Sequence, residues 1–218
     1  HKGFASYPPE ELKEIDLQEV TCQAMKWLKD SPFVQGKKIG LFGCSRGAEH
    51  ALLLSSLLGK FQRAHVMPDA VIALSPIETT AAAFSRAIAQ DIINGITRPV
   101  QEAEASWIFH TPIAAGVPIE MNHFPNPFII GYFETDSMWG VEHPPHALKE
   151  VFRHSEYLEI DFRNDDRAEE KLLPIDIARH KRIFVAFEGE GHVFPPINSE
   201  GSQFLGELIE RFVRQYLQ

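Results

Sequence analysis

Residues 37–59 read KKIGLFGCSRGAEHALLLSSLLG: a short apolar run, a tight Gly-Cys-Ser-Arg-Gly turn, and then leucines and alanines at helical spacing. The order predicted is strand, turn, helix, with Gly59 as the helix stop. Outward from this stretch, three more apolar runs bounded by turn residues predict strands: DAVIALSP at 69–76, PFIIGYF at 127–133 and RIFVAF at 182–187. Helical patterns separate them. Residues 16–29 place Leu17, Val20, Ala24, Trp27 and Leu28 on one face, 143–154 form another helix, and 202–217 align Phe204, Leu205, Leu208, Phe212 and Tyr216. Strands alternating with helices predict an open, mostly parallel α/β sheet.

The chain has 218 residues, 44% hydrophobic and 23% charged, ordinary proportions for a globular domain with a sizeable core. At roughly 150 residues per domain this length predicts a single domain over 1–218. Between the second and third strands lie residues 77–126, with a helical stretch (TTAAAFSRAIAQDIINGI) and then proline-bearing sequence. That is long for a plain connection, and a cap or insertion is expected there. The segment FRNDDRAEEK, 162–171, reads as a solvated loop.

The formal charge is −9 and no cluster of Lys and Arg stands out, which disfavours nucleic acid and anionic membranes as partners. No apolar run reaches the ~18 residues of a membrane span, and the amino end does not read as a signal peptide. Two cysteines, Cys22 and Cys44, make no disulfide framework. A soluble, cytoplasmic location is the expectation, with neither cofactor nor metal called for.

Gly43-Cys44-Ser45-Arg46-Gly47 matches G-x-S-x-G, in the strand-to-helix setting that motif requires. There a serine hydroxyl is lifted off the sheet, Gly43 and Gly47 let the backbone pack closely around it, and the Arg46 amide heads the helix, aimed at a developing oxyanion. Such a serine needs a base held by an acid, and in this setting they follow in the order Ser, Asp or Glu, His. His192, in EGEGHVFPP between the fourth strand and the last helix, suits the base. His50 is expected to pack, and His143, His146, His154 and His180 to lie at the surface. The acid is expected after the third strand, where PFIIGYFETDSMWG offers Glu134 and Asp136, with Asp136 preferred. Glu188 and Glu190 are weaker candidates because they share a loop with the base. Asp165 and Asp166 read as solvated.

These residues resemble the catalytic domain of acyl-CoA thioesterases and bile acid-CoA:amino acid N-acyltransferases, an α/β-hydrolase branch near dienelactone hydrolase. The resemblance runs through LKEIDLQEVTCQAMKWLKDSPFVQGKKIGLFGCSRGAEHALLL, then VPIEM and PFIIGYFETDSMW, then EGEGHVFPP. It is good over 11–58, patchy from 117 on, and absent over 77–116. It implies Ser45 as nucleophile, Asp136 as orienting acid and His192 as base, acting on an acyl thioester or small carboxylic ester. Transferase members of that family carry Cys as nucleophile, so Ser45 implies hydrolysis rather than transfer to an amino acid.

HKGFAS resembles the start of the strand before the family's first helix, and earlier strands have no counterpart. An α/β-hydrolase-like sheet lacking its first strands is therefore expected, with one edge open. Either residues 1–15 fold over that edge or two chains meet there as a homodimer. The loop that gives the family its second oxyanion amide is missing too. The competing expectation is thus a reduced hydrolase-fold domain, weakly active or inactive, that serves in binding or assembly.

Overall fold

The computed structural model describes residues 17–34, 36, 38–76, 119–136, 141–142, 146–152 and 156–218. In chain order the elements are α1 (Leu17–Asp30), β1 (Gly40–Cys44), α2 (Arg46–Lys60), β2 (Ala70–Leu74), a 3-10 turn (Met121–His123), β3 (Phe128–Asp136) and β4 (Val141–Glu142). There follow α3 (His146–Glu150), β5 (Leu158–Phe162), α4 (Ala168–Leu172), a second 3-10 turn (Ile177–Arg179), β6 (Arg182–Gly191) and α5 (Glu200–Leu217).

Five strands form a parallel sheet in the order β1-β2-β3-β6-β5, and β4 turns back antiparallel on the end of β3. A parallel strand is buried on both faces and so reads as a continuous apolar run. All of β2 (AVIAL) is buried, as are Ile183–Phe187 of β6. This is why those strands were legible. The parallel strand β5, LEIDF, is not among the strands predicted. It alternates, with Ile160 and Phe162 buried and Glu159 and Asp161 exposed, the pattern of an edge strand covered on one face. Charges on an edge also discourage pairing with other chains.

Helices cover both faces. One core layer joins Met25 of α1 and Leu52 and Leu54 of α2 to Val71, Phe128, Ile130, Tyr132 and Phe184. The other joins Ile72, Ile129, Phe133 and Val185 to Leu172 of α4 and Phe204, Leu208 and Phe212 of α5. A mostly parallel sheet flanked in this way is an open α/β fold, as the alternation of strands and helices predicts. The sheet also separates the cysteines, because Cys22 packs on the first layer and Cys44 on the second, and no disulfide joins them. No helix among the described residues is long and apolar enough to cross a membrane.

Several expectations are corrected. In α1 the inward face is Cys22, Met25 and Leu28, whereas Val20 and Trp27 are 53% and 69% exposed. Helix α2 does not stop at Gly59 but continues to Lys60. A Cβ at Gly59 would lie 2.1 Å from the His123 carbonyl oxygen, so that glycine serves a close approach of the 3-10 turn. Strands β3 and β6 run on to Asp136 and Gly191, beyond the residue 133 and 187 ends expected. The charged 162–171 segment is partly built. Asp166 accepts from the Arg163 amide at 2.6 Å and from Lys171 Nζ at 2.8 Å, and α4 buries Ala168 and Leu172.

Among the described residues β1 pairs only with β2. The expected fold-back of 1–15 or dimer contact at that edge lies outside the described residues, as does the expected cap or insertion at 77–126 up to residue 118.

Candidate active site

The residues read as catalytic gather at the carboxyl ends of the parallel strands, the edge where open α/β sheets bind ligands. Ser45 follows β1, Asp136 ends β3, and His192 follows β6. Ser75, which follows β2, lies on the same edge.

Ser45 has φ 54° and ψ −120°, a conformation that costs a non-glycine residue strain and is kept only where the surroundings impose it. Three contacts impose it. The Ser45 amide donates to the Leu74 carbonyl at 2.8 Å, tying the turn to β2. The Ser45 carbonyl accepts from the amides of Ala48 and Glu49 at 2.9 and 3.2 Å, which starts α2 at once. Gly43 meets Gly47 so closely that a Cβ on Gly43 would lie 2.1 Å from the Gly47 carbonyl oxygen. The expected roles of the two glycines therefore differ. Gly43 is required for the approach, whereas a Cβ on Gly47 would meet no described atom within 4 Å. The Ser45 side chain does not cap its helix, which leaves its oxygen for other chemistry. Burial pushes the neighbouring Cys44 thiol above its usual value of 9.0, so it stays protonated at neutral pH and is a poor nucleophile.

The Asp136 side chain is fully buried, with His192 Nδ1 2.9 Å from Oδ1 and 2.8 Å from Oδ2. The His192 side chain is 15% exposed. This pairing holds the ring with Nδ1 toward the acid and leaves Nε2 as the other nitrogen. No hydrogen bond joins Ser45 Oγ to His192 among the described residues.

The competing carboxylates are engaged elsewhere or exposed. Glu134 accepts from Arg163 Nη1 at 2.7 Å, and Glu188 accepts from the Asn164 amide at 2.8 Å. Glu190 is exposed on β6, with its backbone opposite Thr135. His50, as expected, packs. Its Nε2 lies 3.0 Å from Thr21 Oγ1, and burial holds its pKa below the usual 6.5. Arg46 is exposed at the head of α2.

Three residues that shape the site were not singled out in the sequence. Ser75 is fully buried with φ 47°, and its Oγ accepts from the Val193 amide at 2.7 Å. Val193 has φ 69°, unusual for a β-branched residue. Gly189 has φ 89° and lies where the β3–β6 register shifts. A glycine inside a strand pattern is a known bulge signal, but Gly189 lies beyond the apolar run 182–187, and only the extension of β6 to Gly191 places it within a strand. A serine closing an apolar run before Pro76 carries no such mark.

Residues 21–106 match the family model described as BAAT / acyl-CoA thioester hydrolase C terminal. The match covers less than half of the chain, but it includes most of α1 and all of β1, the Ser45 turn and α2. It also crosses residues 77–106, where no resemblance was read, and ends before Asp136 and His192. No curated protein matches in sequence. Similar solved structures include acyl-protein thioesterase 2 from Zea mays, at 15% identity over 93% of this chain and 67% of that one, with a TM-score of 0.39. A monoacylglycerol lipase from Paleococcus ferrophilus is 15% identical over 92% and 76%, with a TM-score of 0.46. A type II thioesterase of the yersiniabactin NRPS/PKS pathway is 14% identical over 92% and 75%, with a TM-score of 0.39.

Proposed function

We propose that the protein is a serine hydrolase that cleaves an acyl thioester of the acyl-CoA type, or a small carboxylic ester, through an acyl-enzyme on Ser45. The observation that carries this reading is the buried Asp136 carboxylate on His192 Nδ1, on the same sheet edge as a strained serine turn. The match of residues 21–106 to an acyl-CoA thioester hydrolase family supports the substrate class.

In this mechanism Nε2 of His192 takes the Ser45 hydroxyl proton as Oγ attacks the acyl carbon. Asp136 stays ionised and stabilises the imidazolium, holding its tautomer. The Arg46 amide donates to the oxyanion of the tetrahedral intermediate. His192 then gives its proton to the leaving thiolate or alkoxide, and a water activated by the same imidazole releases the acid and restores Ser45. Catalytic hydrogen bonds are commonly long until substrate is bound, and the Ser45–His192 contact is the one this chemistry has to close.

The test is labelling by a fluorophosphonate serine probe, alongside a panel of acyl-CoA, aryl ester and lactone substrates. Wild-type protein is expected to label and turn over. Ser45→Ala is expected to do neither while staying folded, and Cys44→Ser to keep most activity. A wild-type chain that neither labels nor hydrolyses any member of the panel overturns the proposal in favour of a hydrolase-fold domain used in binding.

A further inference from the structure

His192 and Ser45 come from strands that are not neighbours. With β2 and β3 between β1 and β6, and neighbouring strands roughly 4.8 Å apart, the two strand ends are separated by roughly 14 Å across the sheet. For an imidazole to serve the hydroxyl, the loop after β6 has to turn back over β3 toward β1. Asp136 holds the ring at the end of β3, and one strand further the hydrogen bond from the Val193 amide to Ser75 Oγ, 2.7 Å long, ties the residue after His192 to the end of β2. Ser75 is itself held fast. It is fully buried, its amide donates to the Gly131 carbonyl of β3 at 2.7 Å, and the residue before it accepts from the Ser45 amide.

The loop does not rest in this shape by its own preference. The Phe194 amide donates to the His192 carbonyl at 2.9 Å across Val193 at φ 69°, a γ-turn of the rarer, strained hand. Valine resists positive φ more than most residues. The Val193 side chain packs on the α5 core layer while its amide is held from β2, so the turn is fixed from both sides.

From this we infer that Ser75 is a positioning residue for His192: its hydroxyl holds the strained turn at Val193 and so carries the imidazole across the sheet toward Ser45. The catalytic half of this inference rests on the serine-hydrolase reading, whereas the clamp itself does not.

The experiment therefore reads both. In wild-type protein the Val193 amide is expected to exchange slowly with solvent, and the His192 Nδ1–H on Asp136 to give a far-downfield proton resonance. Ser75→Ala is expected to broaden or remove that resonance and to lower kcat on an aryl ester on the order of 100-fold with KM unchanged. Val193→Gly removes the φ penalty, and in that background the same Ser75→Ala change is expected to cost at least about tenfold less. Undiminished kcat and resonance in Ser75→Ala, or equal losses in the two backgrounds, overturn the inference. So does a Val193 amide in wild-type protein that exchanges as fast as a free loop, a measurement that stands even if Ser75→Ala does not fold. A wild-type chain inert to substrates and probe but with a protected Val193 amide and an intact resonance overturns the hydrolase reading and leaves the clamp in place.

Discussion

Asp136 faces Gly191 across the β3–β6 ladder, one residue out of step with Phe133 and Phe187 a short way back along the same two strands. Between those pairs β6 carries an extra residue, and Gly189, at φ 89°, lies in that bulge. Bulges bend a strand and re-aim the side chains beyond them. Here the bulge brings the end of β6 level with the end of β3, so that His192 leaves the strand beside the acid. In unbroken register Asp136 would face Glu190, and the histidine would stand one residue further on.

Gly189→Ala follows directly. The position is exposed and a Cβ there would touch no described atom, so the cost is in φ alone, about 1–2 kcal/mol. If the strand relieves that strain by losing the bulge, the Asp136–His192 pair loses its alignment. Denaturant unfolding should show this modest loss together with a fall in turnover larger than the unfolded fraction explains. A variant with lower stability but full activity per folded molecule would mean that the bulge does not set the pair.

The strained turn at Ser45 makes a second case. Ser45→Gly relieves about 1–3 kcal/mol of conformational strain and gives back about 0.5–1 kcal/mol in backbone entropy. The glycine variant should therefore be inactive and unlabelled by a serine probe, yet more stable than wild type by about 1 kcal/mol. Thermal or denaturant unfolding checks it, and a variant less stable than wild type would argue against strain at this residue.

Among the carboxylates, Asp136→Asn should be the costly change, lowering turnover by about 10⁴, because an amide can neither stabilise the imidazolium nor hold its tautomer. Glu134→Gln gives up a part-exposed pair with Arg163 and should cost under about 1 kcal/mol of stability, with little effect on turnover. Glu190→Gln should matter less still. Turnover of the three variants at matched folded fraction is the measurement, and a ranking led by Glu190 would move the acid onto β6, the strand that leads into the histidine.

His50 sets a pH dependence. Burial lowers its folded pKa below the unfolded value near 6.5, so between the two values the unfolded chain binds the extra proton. Its contribution to stability is complete above about pH 6.5 and is lost as the pH falls through that window. His50→Gln should flatten the stability profile below pH 6.5 relative to wild type, whatever it does to stability at neutral pH. Denaturant unfolding at several pH values would read the two slopes, and equal slopes would contradict the burial argument.

What the sequence determined by itself was local. A G-x-S-x-G turn between an apolar run and a helical pattern needs only a handful of consecutive residues to be recognised, and the backbone at Ser45 has the strained conformation such a turn requires. The runs at β2 and β6 and the amphipathic face of α5 were legible for the same reason: burial on a sheet or a helix face leaves its period in neighbouring residues. What singles out Asp136 over Glu134 in the sequence is the family resemblance, because the apolar run itself ends at Phe133, before both.

Only the tertiary structure decided the rest. Val20 and Trp27 carry the same hydrophobic period as Met25, and the period alone does not say which side of α1 meets the sheet. β5 is a strand because β6 offers it an edge. The hydrogen bond between Ser75 and Val193 joins residues 118 positions apart, and the bulge at Gly189 exists only as a mismatch between two strands. Hydroxyls, amides and glycines of these kinds occur all along any chain. They acquire a role when long-range packing sets them opposite a partner, and hydrophobic periodicity does not encode that relation.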